Sequence, residues 1–409
     1  MENKQELPPG WKWMELGEVC EINPPRPKNF TRSPDAQTTF VPMVAVDEIS
    51  GVIAKSEIVS YSKVAKGYTY FEENDVLFAK ITPCMQNGKH VIARNLIDKI
   101  GFGTTEFHVM RSKKEILPEW IWFFVRQPQF LKEATYYFTG VVGQQRVPSS
   151  FLSGYIISLP PIEEQKRIVT KLQEMMQEID QAQAACEKQL EAAKSLPSAY
   201  LREALESPES QTWERKKLGE VCKIFNGSSA PQDEKYFENG KFPFVRVSDL
   251  GNYGRTTNLT EVRDYINELC IRELNIIKAS KGTILFPKSG AAITTNNRAI
   301  LGIDAYIVSH LAALKPKENI ADTYFVYYWL CLTDMIQYME NLGYPSLKLS
   351  TISKILIPLP PLSEQKRIAA YLKEKIDEAE KLRASIEKEL ETINVLPQSI
   401  LSKAFKGEI

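Results

Sequence analysis

A short run near the start of the chain, Asn23-Pro24-Pro25, has the clearest potential for chemistry. In adenine methyltransferases, Asp/Asn-Pro-Pro followed by an aromatic residue binds the amino group of a flipped adenine. Here Arg26 follows instead, and the nearby Gly101-Phe102-Gly103 lacks the acidic strand end expected of an S-adenosylmethionine site. Because short motifs often match by chance, a proline-rich loop is the better interpretation.

Two other pairs resemble half of a metal-dependent nuclease motif: Glu164-x-Lys166 and Glu364-x-Lys366. Such motifs place the carboxylate and the lysine on a strand beside a second acidic residue. Both pairs here fall at the predicted start of a helix, where the helix dipole favours acidic groups. The sequence also contains no GxxxxGK[ST] phosphate loop, so ATP hydrolysis is not indicated.

Histidine and cysteine indicate neither a catalytic base nor a metal centre. His108 and His310 alternate with apolar residues in predicted strands, so we interpret both as core or surface residues. The six cysteines show no CxxC spacing, which favours buried reduced thiols over a zinc cluster. We therefore expect this chain to have no catalytic site, metal or cofactor of its own.

The chain is an internal repeat. The segment LPPIEEQKRI at Leu159–Ile168 returns as LPPLSEQKRI at Leu359–Ile368, and 21 of the 55 positions from Tyr155 to Glu209 are identical 200 residues later. Each half also opens with Leu-Gly-Glu-Val-Cys a few residues after a tryptophan. Between these anchors the halves diverge, which indicates two modules with one frame and different surfaces.

Each repeated segment predicts a long amphipathic helix, because apolar residues alternate in steps of three and four. An internal proline clashes with the preceding turn, so we expect each helix to stop or kink at Pro197 or Pro397, with a shorter helix following. The residues predicted to pair the two long helices are Ile168, Leu172, Ile179, Leu190, Ile368, Leu372, Leu382, Ile386 and Leu390.

The segments between the helices predict mixed α+β bodies. Aromatic-rich helices are predicted at Glu119–Phe130 and Asp322–Met339. The predicted strands are Thr39–Val46, Asp75–Ala79, Phe107–Met110, Tyr155–Leu159, Phe242–Val247, Thr283–Phe286, Ala305–Ala312 and Ile355–Leu359.

The order of these parts predicts an architecture. Body 1–154, helical region 155–209, body 210–354 and helical region 355–409 follow one another. A compact second body joins the end of the first helix to the start of the second, so the helices should run antiparallel. The expected fold class is α+β: two globular α/β domains separated by a long antiparallel two-helix coiled coil about 50 Å long, with an internal pseudo-two-fold repeat. The two chain termini should meet near the first body.

Composition adds little to this interpretation. The 409 residues are 43% hydrophobic and 25% charged, with 51 basic and 51 acidic side chains. The balanced charge does not by itself indicate a nucleic-acid partner. We expect a cytoplasmic protein without a membrane partner, because the sequence shows neither a secretory signal nor an apolar run of membrane-spanning length.

The paired LPP[IL]xEQ[KR]RI segments, the Trp…LGEV openings, the Gly143-Gln144-Gln145 stretch and the final AFKGEI resemble the specificity subunit of Type I restriction–modification enzymes. The resemblance covers essentially the whole chain. The second body departs from the pattern at Gly343-Tyr344-Pro345, where the glutamine is missing.

This resemblance implies a DNA-binding subunit with two target recognition domains, each reading one half of a bipartite double-stranded DNA site. It implies that the helices set the spacer and dock two methylation subunits, which bind S-adenosylmethionine. Motor–nuclease restriction subunits would add ATP-driven translocation and cleavage. The chain itself would select the sequence.

Within that framework, base readout favours Arg or Lys for guanine and Asn or Gln for adenine. The candidate DNA-binding residues of the first body are Lys80, Gln86, Asn87, Lys89, Gln144, Gln145 and Arg146. Those of the second body are Lys288, Ser289, Asn296, Asn297, Arg298, Tyr344, Ser346 and Lys348.

Two alternatives remain open at this point. A coiled-coil scaffold with two protein-binding heads would have the same helices, and it would lack salt-dependent binding to a split DNA sequence. A self-contained adenine methyltransferase would bind S-adenosylmethionine as an isolated chain.

Overall fold

A computed structural model describes residues 7–141, 143–252, 258–339 and 345–409, which fall into two units. The first unit comprises Met1–Glu187 and Lys388–Ile409, and the second comprises Lys188–Glu387. Within the described ranges, no helix has both the length and the apolar character needed to cross a lipid bilayer.

The described residues of the first unit form ten strands and five short helices, followed by the start of a long helix. Its strands are β1 (Lys12–Glu15), β2 (Cys20–Ile22), β3 (Gln37–Val41), β4 (Glu57–Ser60), β5 (Thr69–Glu72), β6 (Val76–Ala79), β7 (His90–Ile92), β8 (Ile100–Gly103), β9 (Phe107–Ser112) and β10 (Ile156–Leu159). Its helices are α1 (Leu16–Val19), α2 (Tyr61–Val64), α3 (Pro118–Val125), α4 (Pro128–Thr135), α5 (Ser149–Gly154) and the long α6 (Ile162–Leu205).

The second unit has a similar succession of elements. Its strands are β11 (Arg215–Lys217), β12 (Cys222–Asn226), β13 (Phe242–Val245), β14 (Asn258–Leu259), β15 (Asp264–Ile266), β16 (Lys278–Ala279), β17 (Ile284–Pro287), β18 (Ala299–Leu301), β19 (Ala305–Ile307), β20 (Leu311–Pro316) and β21 (Leu356–Pro358). Its helices are α7 (Leu218–Val221), α8 (Asp249–Asn252), α9 (Glu268–Leu274), α10 (Thr323–Leu332), α11 (Leu349–Lys354) and the long α12 (Leu362–Lys406).

Sheet topology shows the repeat more clearly than the sequence does. The first unit has sheets ordered β1-β10, β2-β9-β6-β7 and β4-β3-β8-β5, and the second has β11-β21, β12-β20-β17-β18-β14 and β15-β13-β19-β16. In each third sheet the central pair is parallel, β3 with β8 and β13 with β19. The predicted mixed α/β fold and internal repeat are confirmed.

Most predicted strands are present, but two are interrupted. Thr39–Val46 combines the end of β3 with a separate 3₁₀ turn at Met43–Ala45, because Pro42 has no amide hydrogen to continue the ladder. Ala305–Ala312 contains all of β19 and the start of β20, which pair with different sheets. The prediction of one strand at each place was wrong.

The predicted aromatic helices are also divided. Glu119–Phe130 spans α3 and the start of α4, because Pro128 begins a new helix. Asp322–Met339 covers α10 and a 3₁₀ turn at Met335–Tyr338, with Asp322 capping the first of these through its carboxylate.

The long helices are continuous, so the expectation of a stop and a separate shorter helix was wrong, and the alternative of a kink stays a prediction. Pro197 lies inside α6 and Pro397 inside α12. An internal proline costs about 3 kcal/mol. Packing on both sides offsets this cost, since Ala193 and Leu201 flank Pro197 and both are buried.

The buried stripe of each long helix repeats every seven residues. In α6 it comprises Ile168, Leu172, Ile179, Cys186 and Ala193, and in α12 Ile368, Leu372, Ala379, Ile386 and Ile393. Leu190 and Leu390 are half-buried. Leu382 is 49% exposed, so its assignment to the pairing face was wrong. The half-buried residues Ile376, Arg383 and Leu390 each lie four residues beyond a buried one, so the seam passes through Arg383 and not through its neighbour Leu382.

The helices pair antiparallel within each unit, as predicted. In the first unit, Ile168 and Leu172 near the start of α6 share a core with Leu401 and Phe405 near the end of α12. In the second unit, the corresponding start of α12 shares a core with Leu201 and Leu205 at the end of α6. The expected meeting of the chain's two ends is also confirmed, because a side chain at Gly407 would contact Pro8 and Trp11.

The glutamine of each LPP…EQ segment joins its long helix to its body. Gln165 is fully buried, accepts a hydrogen bond from Leu117 N at 2.9 Å, and donates to the carbonyls of Glu115 at 2.8 Å and Pro160 at 2.9 Å. Sequence reasoning used this motif for resemblance but assigned the glutamine no role. Its signal was present, since it is the one uncharged polar residue among the 21 identities between the repeated segments.

Gln365 makes the same bonds in the second unit. It accepts from Asp322 N at 2.8 Å and donates to the carbonyls of Ile320 at 3.1 Å and Pro360 at 2.8 Å. Three bonds satisfy a buried amide almost completely, so they fix the angle at which each helix leaves its body.

Glu164 and Glu364 lie in the first turns of the long helices and form ion pairs with Arg167 and Arg367 at 2.7 and 2.6 Å. The arginine hydrogen bonds lower the pKa of both carboxyl groups. These contacts support a helix-start role for the nuclease-like pairs.

Cysteine burial is uneven. All six cysteines lie in described residues and are free thiols, and four of them are buried, whereas Cys84 and Cys331 are partly exposed. Burial raises the pKa of Cys20 and of Cys222 to about 12, so both remain neutral thiols.

Candidate nucleic-acid interface

In each unit, two loops meet at the place where most candidate DNA-binding residues lie. In the first unit, Val147 N donates to the carbonyl of Lys80 at 2.9 Å, and Thr82 N donates to that of Gln145 at 2.9 Å. In the second unit, Leu347 N donates to the carbonyl of Lys288 at 2.8 Å. Val147 and Leu347 are 200 positions apart, so the two junctions are equivalent.

The first junction carries a short hairpin. Thr139 and Arg146 exchange backbone hydrogen bonds at 3.0 and 2.9 Å, and Gln144 lies exposed between them. The Arg146 guanidinium donates to both carboxylate oxygens of Glu106, at 2.8 and 2.7 Å. These bonds lower the pKa of Glu106 and keep it ionised. The bidentate pair therefore holds the hairpin against the end of the sheet.

His108 also stabilises the first junction, through hydrogen bonds of both ring nitrogens. Its Nε2 lies 2.8 Å from the Val147 carbonyl and must donate, because a carbonyl only accepts. Its Nδ1 then accepts from Asn23 Nδ2 at 2.9 Å. Burial lowers the pKa of His108, which keeps the ring neutral in this tautomer.

Both polar atoms of the Asn23 amide make hydrogen bonds within the first unit. Its Oδ1 accepts from Val109 N at 3.0 Å, and its backbone has φ +54°. A methyltransferase motif would need this amide free to bind adenine. The bonds to His108 and Val109 therefore support a structural role for the Asn23-Pro24-Pro25 loop.

The second junction has the same frame and different chemistry. In the first unit Phe78 pairs with His108, and in the second the equivalent Phe286 pairs with Ala312. By this register, His310 takes the position that Glu106 has in the first unit. The His310 ring is hydrogen-bonded to Ser289. His310 lies at the turn before β20, exposed, and not within a strand.

Three candidates of the second unit form one cluster. Arg298 is 7% exposed and lies over the Phe286 ring at 4.8 Å, and burial lowers its pKa to about 10. Its Nη2 donates to Asn296 Oδ1 at 2.6 Å, and Asn296 Nδ2 donates to the Cys331 carbonyl at 2.9 Å. Asn297 is half-buried beside them. The side chains of Arg298 and Asn296 hold the loop that presents Asn297.

Other candidates lie apart from the junctions. Lys89 Nζ donates to the Val46 carbonyl at 2.8 Å, so its charge is used within the first unit. Gln86 and Asn87 are exposed and border a cleft of about 880 Å³ that is also lined by Trp122 and Ile179. The lining of this cleft does not include Gln144.

The remaining candidates lie on the segment before α11. Ser346 is half-buried and pairs with Ser289, and Lys348 is exposed where α11 begins. Tyr344 lies outside the residues that the structure describes.

The chain has two similar units with equivalent junctions and paired long helices. Comparison with known families identifies the class of protein that has this organisation. The family described as Type I restriction modification DNA specificity domain matches residues 8–192 and again 210–392. The two matches cover most of the chain, which belongs to this family.

Two individual relatives are specificity subunits of Type I restriction enzymes. The chain is 36% identical over 207 residues to the Type I restriction enzyme EcoEI specificity subunit of Escherichia coli, an alignment covering 50% of this chain and 34% of that protein. Identity to the EcoAI specificity subunit of the same species is 36% over 197 residues, covering 48% and 33%. The matched part thus spans about a third of the length of both curated relatives.

A third relative matches over its length. The putative MjaX specificity subunit of Methanocaldococcus jannaschii is 22% identical over 429 residues, covering 99% of this chain and 95% of that protein. The crystal structure of the HsdS subunit from Thermoanaerobacter tengcongensis matches with a TM-score of 0.72 and 25% identity, covering 100% of both chains. A chain from a structure of the type I R-M system has a TM-score of 0.76 at 24% identity, covering 99% and 100%.

Proposed function

We propose that this chain is the sequence-specific DNA-recognition subunit of a Type I restriction–modification complex, in which each unit reads one half of a bipartite site. The equivalent junctions carry this proposal. The same strands and backbone bonds present Glu106 with Arg146 in one unit, and His310 with Ser289 in the other. The two units thus share a backbone arrangement and differ in the side chains that it presents, which suits two different half-sites.

Gln144 and Gln145 are the proposed base readers of the first half-site, and Lys80 is the proposed DNA-contacting residue beside them. The Gln144 amide is exposed at the hairpin, where it can bond to adenine, and Arg146 positions the hairpin. Gln86, Asn87 and Lys89 would contribute at the edge of this surface.

In the second unit the proposed set centres on Lys288, Ser289 and Asn297. Ser346 and Lys348 lie on the adjoining segment, and Tyr344 precedes it in the sequence. Asn296 and Arg298 position the loop that carries Asn297.

The proposal includes partners that supply the chemistry. Two methylation subunits would dock on the helical regions and bring S-adenosylmethionine, and restriction subunits would add cleavage. The buried seven-residue stripe of α6 recurs position for position in α12, so the two helices expose corresponding faces, which supports two equivalent docking surfaces. The chain would act in the cytoplasm, where it meets DNA, and would bind no cofactor itself.

The proposed function is tested by supplying and withholding the partner. The purified chain alone should neither methylate nor cleave DNA, and adding a methylation subunit should yield adenine methylation at one split sequence. Replacing residues 210–354 with the second body of another family member should change one half-site and preserve the other. Methylation by the chain alone, or a swap that alters both half-sites, would contradict the proposal.

A further inference from the structure

The first unit contains a cavity whose charged lining is entirely cationic. It has a volume of about 560 Å³ and is lined by Arg26, Lys66 and Lys80 together with aromatic and small residues. All of its lining residues are described, and none of them carries a carboxylate. Three cations around one cavity favour an anionic ligand.

Two of the cations are held in place by the fold. Arg26 Nη1 donates to Tyr61 Oη and to the Ala65 carbonyl, both at 3.1 Å, which closes the loop across the cavity. Lys80 follows β6 directly, and its backbone bonds to Glu106, just before β9, and to Val147, just before α5. Its position is therefore set by the sheet.

The Lys80 ammonium has no hydrogen-bond or ion-pair partner within the part of the chain that the structure describes. Burial lowers its pKa, and the nearby Glu106 opposes that effect. Glu106 is instead paired with Arg146, whose guanidinium donates to both of its carboxylate oxygens. A half-buried cation without a direct partner favours a bound anion.

In the second unit, the equivalent loop is bonded to the sheet. Strand register aligns Asn23 with Phe225, and therefore Arg26 with Ser228. Ser228 N donates to the Ile307 carbonyl at 3.1 Å, and a side chain at Gly227 would come within 1.9 Å of that oxygen. The chain there lies directly on the second sheet.

Proline prevents this closure in the first unit. Pro25 stands where the second unit has Gly227, and it carries bulk at a position where even a Cβ would collide. The loop therefore leaves the sheet and carries Arg26 across the opening.

We propose that this cavity binds one phosphate group, and that the described part of the second unit has no equivalent site. Lysine is a compact point charge suited to phosphate, and arginine adds directed donors. The phosphate would come from the backbone of bound DNA, which rests on the proposed function, or from a free phosphorylated ligand such as a nucleotide. In the DNA case, Lys80 anchors the backbone and does not read a base.

The test uses the full chain with its methylation subunit and a DNA duplex carrying the mapped site. Equilibrium binding is measured by fluorescence anisotropy across a salt series for wild type, Lys66→Gln with Lys80→Gln, and the control Lys28→Gln. Lys28 is an exposed lysine of the same proline-rich loop that does not line the cavity.

Loss of one phosphate contact lowers the slope of log K against log salt by about 0.9. The double variant should show this decrease and keep the methylated sequence unchanged, and Lys28→Gln should keep the wild-type slope. An unchanged slope, or an altered sequence preference, overturns the DNA-phosphate assignment.

A second measurement separates the possible sources. Inorganic phosphate and dAMP are titrated against the chain alone while its thermal midpoint is followed. Stabilisation of wild type that the double variant loses, with an unchanged DNA slope, assigns the cavity to a free ligand. Failure of both measurements removes the site altogether. If the wild-type complex selects no split sequence, the proposed function fails, and the phosphate titration still decides the cavity.

Discussion

At the scale of single residues, burial determines the protonation of the histidines in the first unit. His108 stays neutral as part of the junction, and His90 is fully buried with its ring stacked on Phe78 at 4.2 Å. Burial, with a smaller contribution from Arg126, lowers the pKa of His90 to about 3. The ring is neutral in the folded state and has an ordinary pKa of 6.5 when unfolded.

His90 should therefore make stability fall in mild acid. Between pH 6.5 and about pH 3, His90 is protonated in the unfolded chain and neutral in the folded one. The contribution of His90 to stability is therefore complete above pH 6.5 and is lost as the pH falls from 6.5 towards 3. Between pH 7.5 and 5.5 the loss is on the order of 1 kcal/mol.

Substitution by phenylalanine keeps the stacked ring and removes the titration. Urea unfolding of wild type and His90→Phe at both pH values should show the smaller change in the variant. Equal changes in the two proteins would show that His90 does not contribute to the pH dependence.

The buried glutamines give a second prediction at this scale. Gln165→Leu leaves the Leu117 amide and the carbonyls of Glu115 and Pro160 without their partner, and should lower the free energy of unfolding by about 2 to 4 kcal/mol. Gln173→Leu, at an exposed position of the same helix, should change it by less than about 0.5 kcal/mol. Chemical denaturation measures the free energy of unfolding of both variants. Similar losses in the two would show that Gln165 does not stabilise the junction of helix and body.

At the scale of elements, the long helices owe their continuity to packing. The proline predicted a stop or a kink at Pro197, yet α6 continues through it and buried residues lie on both sides. Leu382 and Leu372 differ on the same helix, 49% exposed against fully buried, although sequence periodicity assigned both to the pairing face. This difference provides a matched pair of variants.

Leu372→Glu should disrupt helix pairing in the second unit, and Leu172→Glu in the first, because an unpaired buried carboxylate costs several kcal/mol. Leu382→Glu introduces the same group at an exposed position and should be nearly neutral. Thermal unfolding followed by circular dichroism, and co-purification with the methylation subunit, measure both effects. A Leu372→Glu variant as stable as Leu382→Glu would mean that the seam does not hold the helices together.

At the scale of the whole molecule, the proposed function makes the paired helices a ruler between half-sites. Inserting one matched heptad after Ile179 and after Ala379 preserves the buried stripe, because that stripe repeats every seven residues. The bodies should separate by up to about 10 Å, or about three base pairs at roughly 3.4 Å each.

Three base pairs also rotate DNA by about 100°, whereas one heptad rotates a coiled coil far less. The variant should therefore methylate its original half-sites weakly, or select a spacer changed by some other whole number of base pairs. Mapping of methylated adenines measures this. Full activity at the original spacer would show that the helices do not set the distance.

The sequence alone determined the repeat, the two amphipathic helices, their antiparallel pairing and most strands, because each depends on local periodicity or on the order of segments. Only the tertiary structure decided which candidates share a surface. Lys80 and Gln144 are brought to one junction, whereas Gln86 and Asn87, close to Lys80 in sequence, border another cleft. It also showed that Arg298 is buried and that Asn23 serves His108. Side-chain burial and long-range hydrogen bonds depend on which strands become neighbours, and residue type and spacing do not contain that information.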